Sequence, residues 1–194
     1  MGYFIAVEGL DGIGKSTLVE QLAREFSDLA MSTPSEALYD SRRVIMNDFS
    51  DDELAKALFY AASVSSQGRK ARKKVESGKW VFMDRYWAST LAYVKARGVT
   101  TDLEQFGNSV PQPDLTVLLM LDESERQRRL HVRGVTVEDK ETLDPGFRQC
   151  VLEELQTHAN LVVDISGYDL LAATQMLEKV IREKVKSTQR FDRA

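Results

Sequence analysis

A chain of 194 residues, 43% hydrophobic and 29% charged, is long enough for a sizeable core and reads as one domain, 1–194. That composition excludes a disordered or collagen-like chain. The 26 basic and 30 acidic side chains leave a net charge of −4, so no overall basic field draws in nucleic acid or an anionic membrane surface. Apolar stretches such as Leu115–Leu121 fall far short of the ~18 residues that span a bilayer, so no membrane partner is expected. The lone Cys150 excludes a disulfide within the chain and fits a reducing, cytoplasmic setting. His131 and His158 lack partners at metal-ligand spacing, which excludes a structural zinc site.

The first apolar run, Tyr3–Val7, has no basic segment ahead of it and predicts a strand, not a leader peptide. Leu18, Leu22 and Phe26 recur every four residues after Lys15 and predict a helix. Leu29–Ser32 is a weaker strand that stops at Thr33-Pro34, and Asp51–Ser77 is a long helix with a very polar second half. Strands follow at Trp80–Met83, Leu115–Leu121 and Leu161–Ile165; helices are predicted over Glu123–Arg133, Pro145–His158 and Tyr168–Val185. These strands are apolar at consecutive positions, as in parallel sheets covered on both faces. Strands alternating with long helices predict right-handed βαβ units: an α/β fold with a doubly wound sheet, whose ligands lie beyond the strand C-termini. No repeat or linker marks a domain boundary.

At that edge of the first strand stands Glu8-Gly9-Leu10-Asp11-Gly12-Ile13-Gly14-Lys15-Ser16-Thr17. Gly9, four residues, then Gly14-Lys15-Ser16 is the spacing of the mononucleotide phosphate loop (P-loop), here with a strand before it and a helix after it. Glycines let backbone N–H groups approach phosphate oxygens closely. Lys15 is assigned to the β/γ-phosphates and Ser16 to Mg2+, with the helix N-terminus aimed at the anion. The expected ligands are therefore ATP and magnesium. A GTPase switch is a rival, but no asparagine of this chain is followed by lysine, as an Asn-Lys-x-Asp guanine reader requires. A small phosphotransferase remains, and its second substrate must also be an anion. The strand ending Phe82-Met83-Asp84-Arg85-Tyr86-Trp87 supplies an acid and an arginine at the ligand edge. The arginine fork suits a phosphate monoester and Asp84 suits magnesium or its waters.

The phosphate loop, Asp84-Arg85-Tyr86 with Ser89 through Tyr93, and Pro113-Asp114-Leu115-Thr116 opening an apolar strand together resemble the thymidylate kinase family over essentially the whole chain. The resemblance implies a three-layer P-loop NTPase fold, a five-stranded parallel sheet with helices on both faces, and dimerisation through helices. It implies transfer of the γ-phosphoryl of MgATP to a pyrimidine nucleoside monophosphate, usually deoxythymidylate. By the same resemblance Gly9, Asp11, Gly12, Ile13, Gly14, Lys15, Ser16 and Thr17 hold ATP, with Ser16 and Asp84 at the metal. Asp11 would also face the acceptor's 3′-hydroxyl, Arg85 would clamp its phosphate, and Tyr86 would pack by the sugar. Phe59 would stack on its base, with Tyr93 and Arg42 also at the acceptor. Thr33-Pro34-Ser35, Leu58-Phe59-Tyr60 and Asp84-Arg85-Tyr86-Trp87 further resemble the mitochondrial-type UMP/CMP kinase branch.

Two departures matter. Where thymidylate kinases carry an arginine that reads the thymine edge, this chain has Ser63-Val64-Ser65, and Thr33-Pro34-Ser35-Glu36 replaces the usual Arg-Glu-Pro. The acceptor base therefore stays open among T, U and C, with (d)UMP or (d)CMP as alternatives. The loop's variable position is Ile13, and the lid segment, about 134–146, contains Lys140 and no arginine through Asp144. Transition-state charge is then assigned to the helix before the lid, where Arg126, Arg129 and Arg133 share one face. Arg129 and Arg133 are the candidates for contact with ATP, and Arg148 is a weaker one. The basic run Arg69–Lys74 reads as a solvated helix face. A nucleoside kinase would need a carboxylate base, for which Glu8 is the candidate; a non-enzymatic nucleotide switch is the last alternative.

Overall fold

The computed structural model describes residues 1–191, with the side chains of 137, 138 and 188–191 left out of that description. Five strands form one parallel sheet in the order β2-β3-β1-β4-β5: β1 (Phe4–Glu8), β2 (Leu29–Ser32), β3 (Val81–Asp84), β4 (Leu115–Met120) and β5 (Leu161–Asp164). Register places Val7 beside both Asp84 and Val117, so β1 and β3 end within one residue of each other while β4 runs on to Met120. The order turns back at central β1, which puts a crevice at its C-terminal end, where the phosphate loop departs.

Nine α-helices are described: α1 (Lys15–Glu25), α2 (Tyr39–Asp48), α3 (Glu53–Glu76), α4 (Trp87–Ala96), α5 (Glu104–Gly107), α6 (Glu123–Arg133), α7 (Val137–Glu141), α8 (Pro145–His158) and α9 (Leu170–Phe191). Side chains alternate across the sheet. Phe4, Ala6, Val81 and Met83 meet Ala57, Ala61 and Val64 of α3 and Leu91 of α4. Ile5, Val7 and Phe82 join the layer that holds Leu18 and Leu22 of α1 and Leu177 and Ile181 of α9. Helix α8 lies along α4. Among the described residues no helix is long and apolar enough to cross a membrane.

Local chemistry sets the helix starts. Asp52 accepts from the Ala55 N–H at the head of α3, Asp122 from Ser124 and Glu125 at α6, and Asp144 from Phe147 at α8, with Pro145 in its first turn. Hydropathy therefore located α6 and α8 to the residue and α3 to within two. β1 and β3 run one residue further than predicted, through Glu8 and Asp84. The backbone ladder continues there while the side chains turn polar, Asp84 toward the cavity and Glu8 into a buried position under α4. The sequence reading passed over α2 and α4. Helix α4 is buried from Trp87 through Ala92, so it has no polar stripe to show a 3.6-residue period; α2 buries none of its residues and has no apolar stripe. Within the basic run, Arg69, Lys70, Lys73 and Lys74 are exposed as expected, but Arg72 is anchored, donating to Asp114 at 3.2 Å.

Candidate active site

The phosphate loop joins β1 to α1. A β-carbon on Gly9 would stand 2.4 Å from Ile13 Cδ1 and 2.8 Å from the Leu119 carbonyl oxygen, so only glycine fits. Gly14 caps α1 at φ 94°, in the left-handed region, and α1 has no acid in its first turn to neutralise its positive end. Lys15 is buried, with Nζ donating to the Leu10 carbonyl at 2.6 Å. Burial, and next the Arg85 charge, lower its pKa to about 8 against the pull of Asp11, Asp84 and Glu8. Burial thus leaves Lys15 an ammonium that a bound anion would hold more firmly in its charged form.

Ser16 donates its hydroxyl to Asp84 Oδ2. The other oxygen, Oδ1, is buried and has no hydrogen-bond partner among the described residues. One carboxylate and one hydroxyl, hard oxygen donors with an unsatisfied lone pair, suit Mg2+, which commonly takes few protein ligands and completes its shell with phosphate and water. No cluster of three or more His, Cys, Asp or Glu side chains able to hold a metal occurs among the described residues. The exposed Thr17 lies outside the cavity that Lys15 and Ser16 line.

That cavity, about 450 Å³, opens at the C-terminal edge of β1 and β3. Arg85 reaches it from just beyond β3 with φ 62°, an uncommon conformation for a residue with a side chain. Its guanidinium donates to Asp11 Oδ1 at 2.7 Å and to Ser89 Oγ at 3.0 Å, and lies 5.5 Å from the centre of the Tyr93 ring. Burial opposes both charges of the Arg85–Asp11 pair, but the surrounding charges together outweigh it: Arg85, Lys15 and Arg42 for Asp11, and Asp11, Tyr93 and Asp84 for Arg85. The Asp11 carboxyl sits well below the usual carboxylate range and Arg85 stays protonated. Tyr93 donates to Asp11 Oδ2 at 3.4 Å, and burial pushes its own phenol up. Tyr86 lines the same wall, its hydroxyl tied to the Pro111 carbonyl at 2.8 Å.

At the far end Arg42 lines the cavity, donating to the Tyr60 hydroxyl at 3.1 Å. Phe59, expected to stack on a base, is not among the lining residues; Tyr60 is, because one step along α3 turns the side chain by about 100°. Tyr39, Arg97 and Glu141 also line the cavity and were missed in the sequence. Arg97, at the end of α4, donates to both carboxylate oxygens of Glu141, at 3.0 and 2.7 Å, and lies 3.3 Å from Glu53. Its two acidic partners come from α3 and α7, and no spacing rule joins them to it; the sequence sign is a basic residue at a helix end.

The segment 134–146, expected to act as a lid, holds the short helix α7, opened by a reciprocal capping box between Thr136 and Asp139. Arg133 lines the cavity and donates to Asp139 at 2.6 Å. Arg129 faces the phosphate loop from outside, donating to the Ile13 carbonyl at 3.0 Å, and does not line the cavity. Arg126, on the same face, is fully buried: it bonds Glu123 through two nitrogens, the Asp11 carbonyl at 3.1 Å and the Thr142 carbonyl at 2.9 Å. It ties the turn after α7 to the phosphate loop. Arg148 likewise donates to the Thr142 carbonyl. Glu8, the candidate base, is buried and does not line the cavity; burial raises its pKa, and its oxygens are taken up by the N–H groups of Tyr86 and Ser89 and the Ser89 hydroxyl. That placement favours a monophosphate kinase over a nucleoside kinase working through Glu8.

Comparison with known proteins agrees with this geometry. The family model for thymidylate kinase matches residues 7–177. A protein of Pyrococcus horikoshii described as a probable thymidylate kinase is 37% identical over 151 residues, covering 71% of this chain and 74% of its own. The thymidylate kinase of Exiguobacterium sibiricum is 32% identical and covers 95% and 93% of the two chains. Among solved structures, thymidylate kinase from Candida albicans superposes with a TM-score of 0.75 at 25% identity over 94% of this chain and 92% of its own. That from Ehrlichia chaffeensis, 22% identical with a TM-score of 0.67 over 93% and 98%, shares the fold. With a family match over nearly the whole sheet and a relative aligned end to end, the chain belongs to the thymidylate kinase family.

Proposed function

We propose that this protein is an ATP-dependent nucleoside monophosphate kinase that phosphorylates dTMP. Membership of the family and the names of the relatives support that activity. One observation carries the two-anion reading: Lys15 of the phosphate loop and the Asp11–Arg85 pair line one cavity at one sheet edge. In this reading the loop amides from Gly9 to Thr17, Lys15 and the α1 N-terminus hold the donor phosphates, with Arg129 bracing the loop. Arg85 grips the acceptor phosphate in line with the donor's terminal group, and Asp11, Tyr86 and Tyr93 flank its sugar. Tyr60 and Arg42 take the base end. Ser16 and Asp84 would hold magnesium, which supplies charge neutralisation at the transferring phosphoryl group. The monophosphate oxygen is already anionic near neutral pH, so the site needs no base. Arg133, on the lid next to Asp139, is the side chain suited to swing onto the developing negative charge when the lid closes and excludes water.

The chain acts as one catalytic unit with its lid at about 134–146. A homodimer through helices is supported by the exposed Val44 on α2 and Leu54 and Leu58 on α3, and a cytoplasmic site by the nucleotide chemistry. The test is ADP formation from MgATP with dTMP, dUMP, dCMP, UMP and CMP offered separately. dTMP is expected to give the highest kcat/KM. Arg85→Ala should cut acceptor kcat/KM by at least about a thousandfold while MgATP affinity stays close to wild type. Equal turnover by variant and wild type overturns the acceptor assignment.

A further inference from the structure

We propose that Glu8 is a positioning residue for the acceptor-phosphate arginine, acting through Ser89; this rests on the reading of Arg85 as the phosphate clamp. The strand β1 delivers the Glu8 carboxylate, fully buried, beneath the start of α4. One oxygen accepts from the Tyr86 N–H at 2.9 Å and the Ser89 N–H at 3.3 Å; the other accepts from the Ser89 hydroxyl. Helix α4 is capped by Tyr86 without a side-chain bond of its own, so Glu8 serves as a cap supplied from another element. A carboxylate at a helix N-terminus also meets the positive end of the helix dipole.

The consequence for Arg85 is geometric. It sits at φ 62° between the strand end and the first N–H that Glu8 holds. Its own N–H is fixed at the other side, donating to the Val7 carbonyl at 3.0 Å. A residue in this backbone region is strained and stays there only when its neighbours over-determine it. The side chain is set in the same way. Ser89 has one hydroxyl hydrogen, and it is committed to Glu8, so the Ser89 oxygen can only accept from Arg85 Nη1, at 3.0 Å. With Asp11 holding Nη2, the guanidinium plane is fixed by a chain that runs from Glu8 to Ser89 to Arg85 to Asp11. A bidentate fork rewards that orientation, because a phosphate meets two parallel N–H groups only when the plane is correct.

Glu8→Gln keeps the shape but places an amide that must turn an N–H toward either the Tyr86 N–H or the Ser89 hydroxyl. Ser89→Ala removes only the relay and leaves both backbone bonds to Glu8. The experiment is calorimetric binding of dTMP, of thymidine and of MgATP to wild type and both variants, with thermal unfolding run alongside. Expected is a loss of dTMP affinity of about tenfold to a hundredfold in both variants, the scale for a misplaced clamp. Thymidine, which lacks the phosphate, and MgATP should bind within about twofold of wild type, and Glu8→Asp, one methylene short, should not rescue. Equal losses for dTMP and thymidine, or none for either, overturn the proposal, because a merely structural Glu8 loosens the site without regard to the phosphate. If Glu8→Gln does not fold, Ser89→Ala alone decides. Wild type that binds dTMP yet turns none over refutes the kinase reading, while the phosphate-selective loss still decides this one.

Discussion

Glycine in the middle of a helix ordinarily weakens it, and replacing it with alanine gains about 1 kcal/mol. Gly68 in α3 is expected to behave in the opposite way. A β-carbon there would stand 1.9 Å from the Tyr86 hydroxyl oxygen, 2.9 Å from Cζ and 3.3 Å from Pro111 Cδ. The Tyr86 ring cannot swing aside. It is 1% exposed, its hydroxyl holds the Pro111 carbonyl at 2.8 Å, and Phe4 meets it edge-on at 4.9 Å between centroids. Overpacking of this kind costs about 1–3 kcal/mol, and losing the Pro111 bond adds about 1. Set against the helix gain, Gly68→Ala should lose about 1–3 kcal/mol, which for a chain of this size lowers Tm by roughly 2–12 °C. Urea unfolding measures it, and acceptor KM should rise because Tyr86 follows Arg85 directly. Tyr86→Phe removes the worst contact, so the same change should cost at least about 0.5 kcal/mol less in that background. A Gly68→Ala protein as stable as wild type or more so would refute the packing argument.

Lys15 predicts a pH effect of opposite sign for binding and for stability. Its pKa of about 8 lies below the ordinary lysine value of 10.5. From pH 8 to 10.5 the unfolded chain therefore holds the extra proton, and the unliganded protein gains up to about 3 kcal/mol from this group as pH rises. Donor phosphate needs the ammonium, so ATP affinity should fall about tenfold between pH 8 and 9.5 with uptake of a proton, read by calorimetry in two buffers; flat affinity refutes it. Arg126→Met should destabilise by about 3 kcal/mol or more, since the Asp11 carbonyl, Glu123 and the Thr142 carbonyl each lose a buried charged donor, and chemical unfolding reads it. Glu141→Gln weakens the tie of α7 to Arg97, so MgATP hydrolysis without acceptor should rise severalfold while Tm shifts little, as measured by ADP release.

Much of the site could be read in the chain because its parts are local. The phosphate loop is one turn between a strand and a helix, and the demand for glycine at Gly9 and Gly14 is a demand on backbone, visible wherever the spacing is met. Asp84 and Arg85 end an apolar run, and in parallel sheets such ends converge on one edge. The five strands were all found, since burial on both faces leaves continuous apolar runs. Helix α4 was hidden for the same reason: buried nearly all round, it has no polar stripe.

Other features depend on which elements come to rest against each other. Arg97, Glu141 and Glu53 meet from three helices, and only packing brings them to the cavity. Whether Phe59 or Tyr60 faces a base is a matter of how α3 rolls on the sheet, which a 100° step decides and composition does not. Arg126, Arg129 and Arg133 share a helix face as their spacing requires, yet one is a buried staple, one braces the loop and one faces the cavity, because the phosphate loop and the α7 segment meet different turns of α6. Charge and spacing name the candidates for a role; long-range contact, paid for by burial, assigns it.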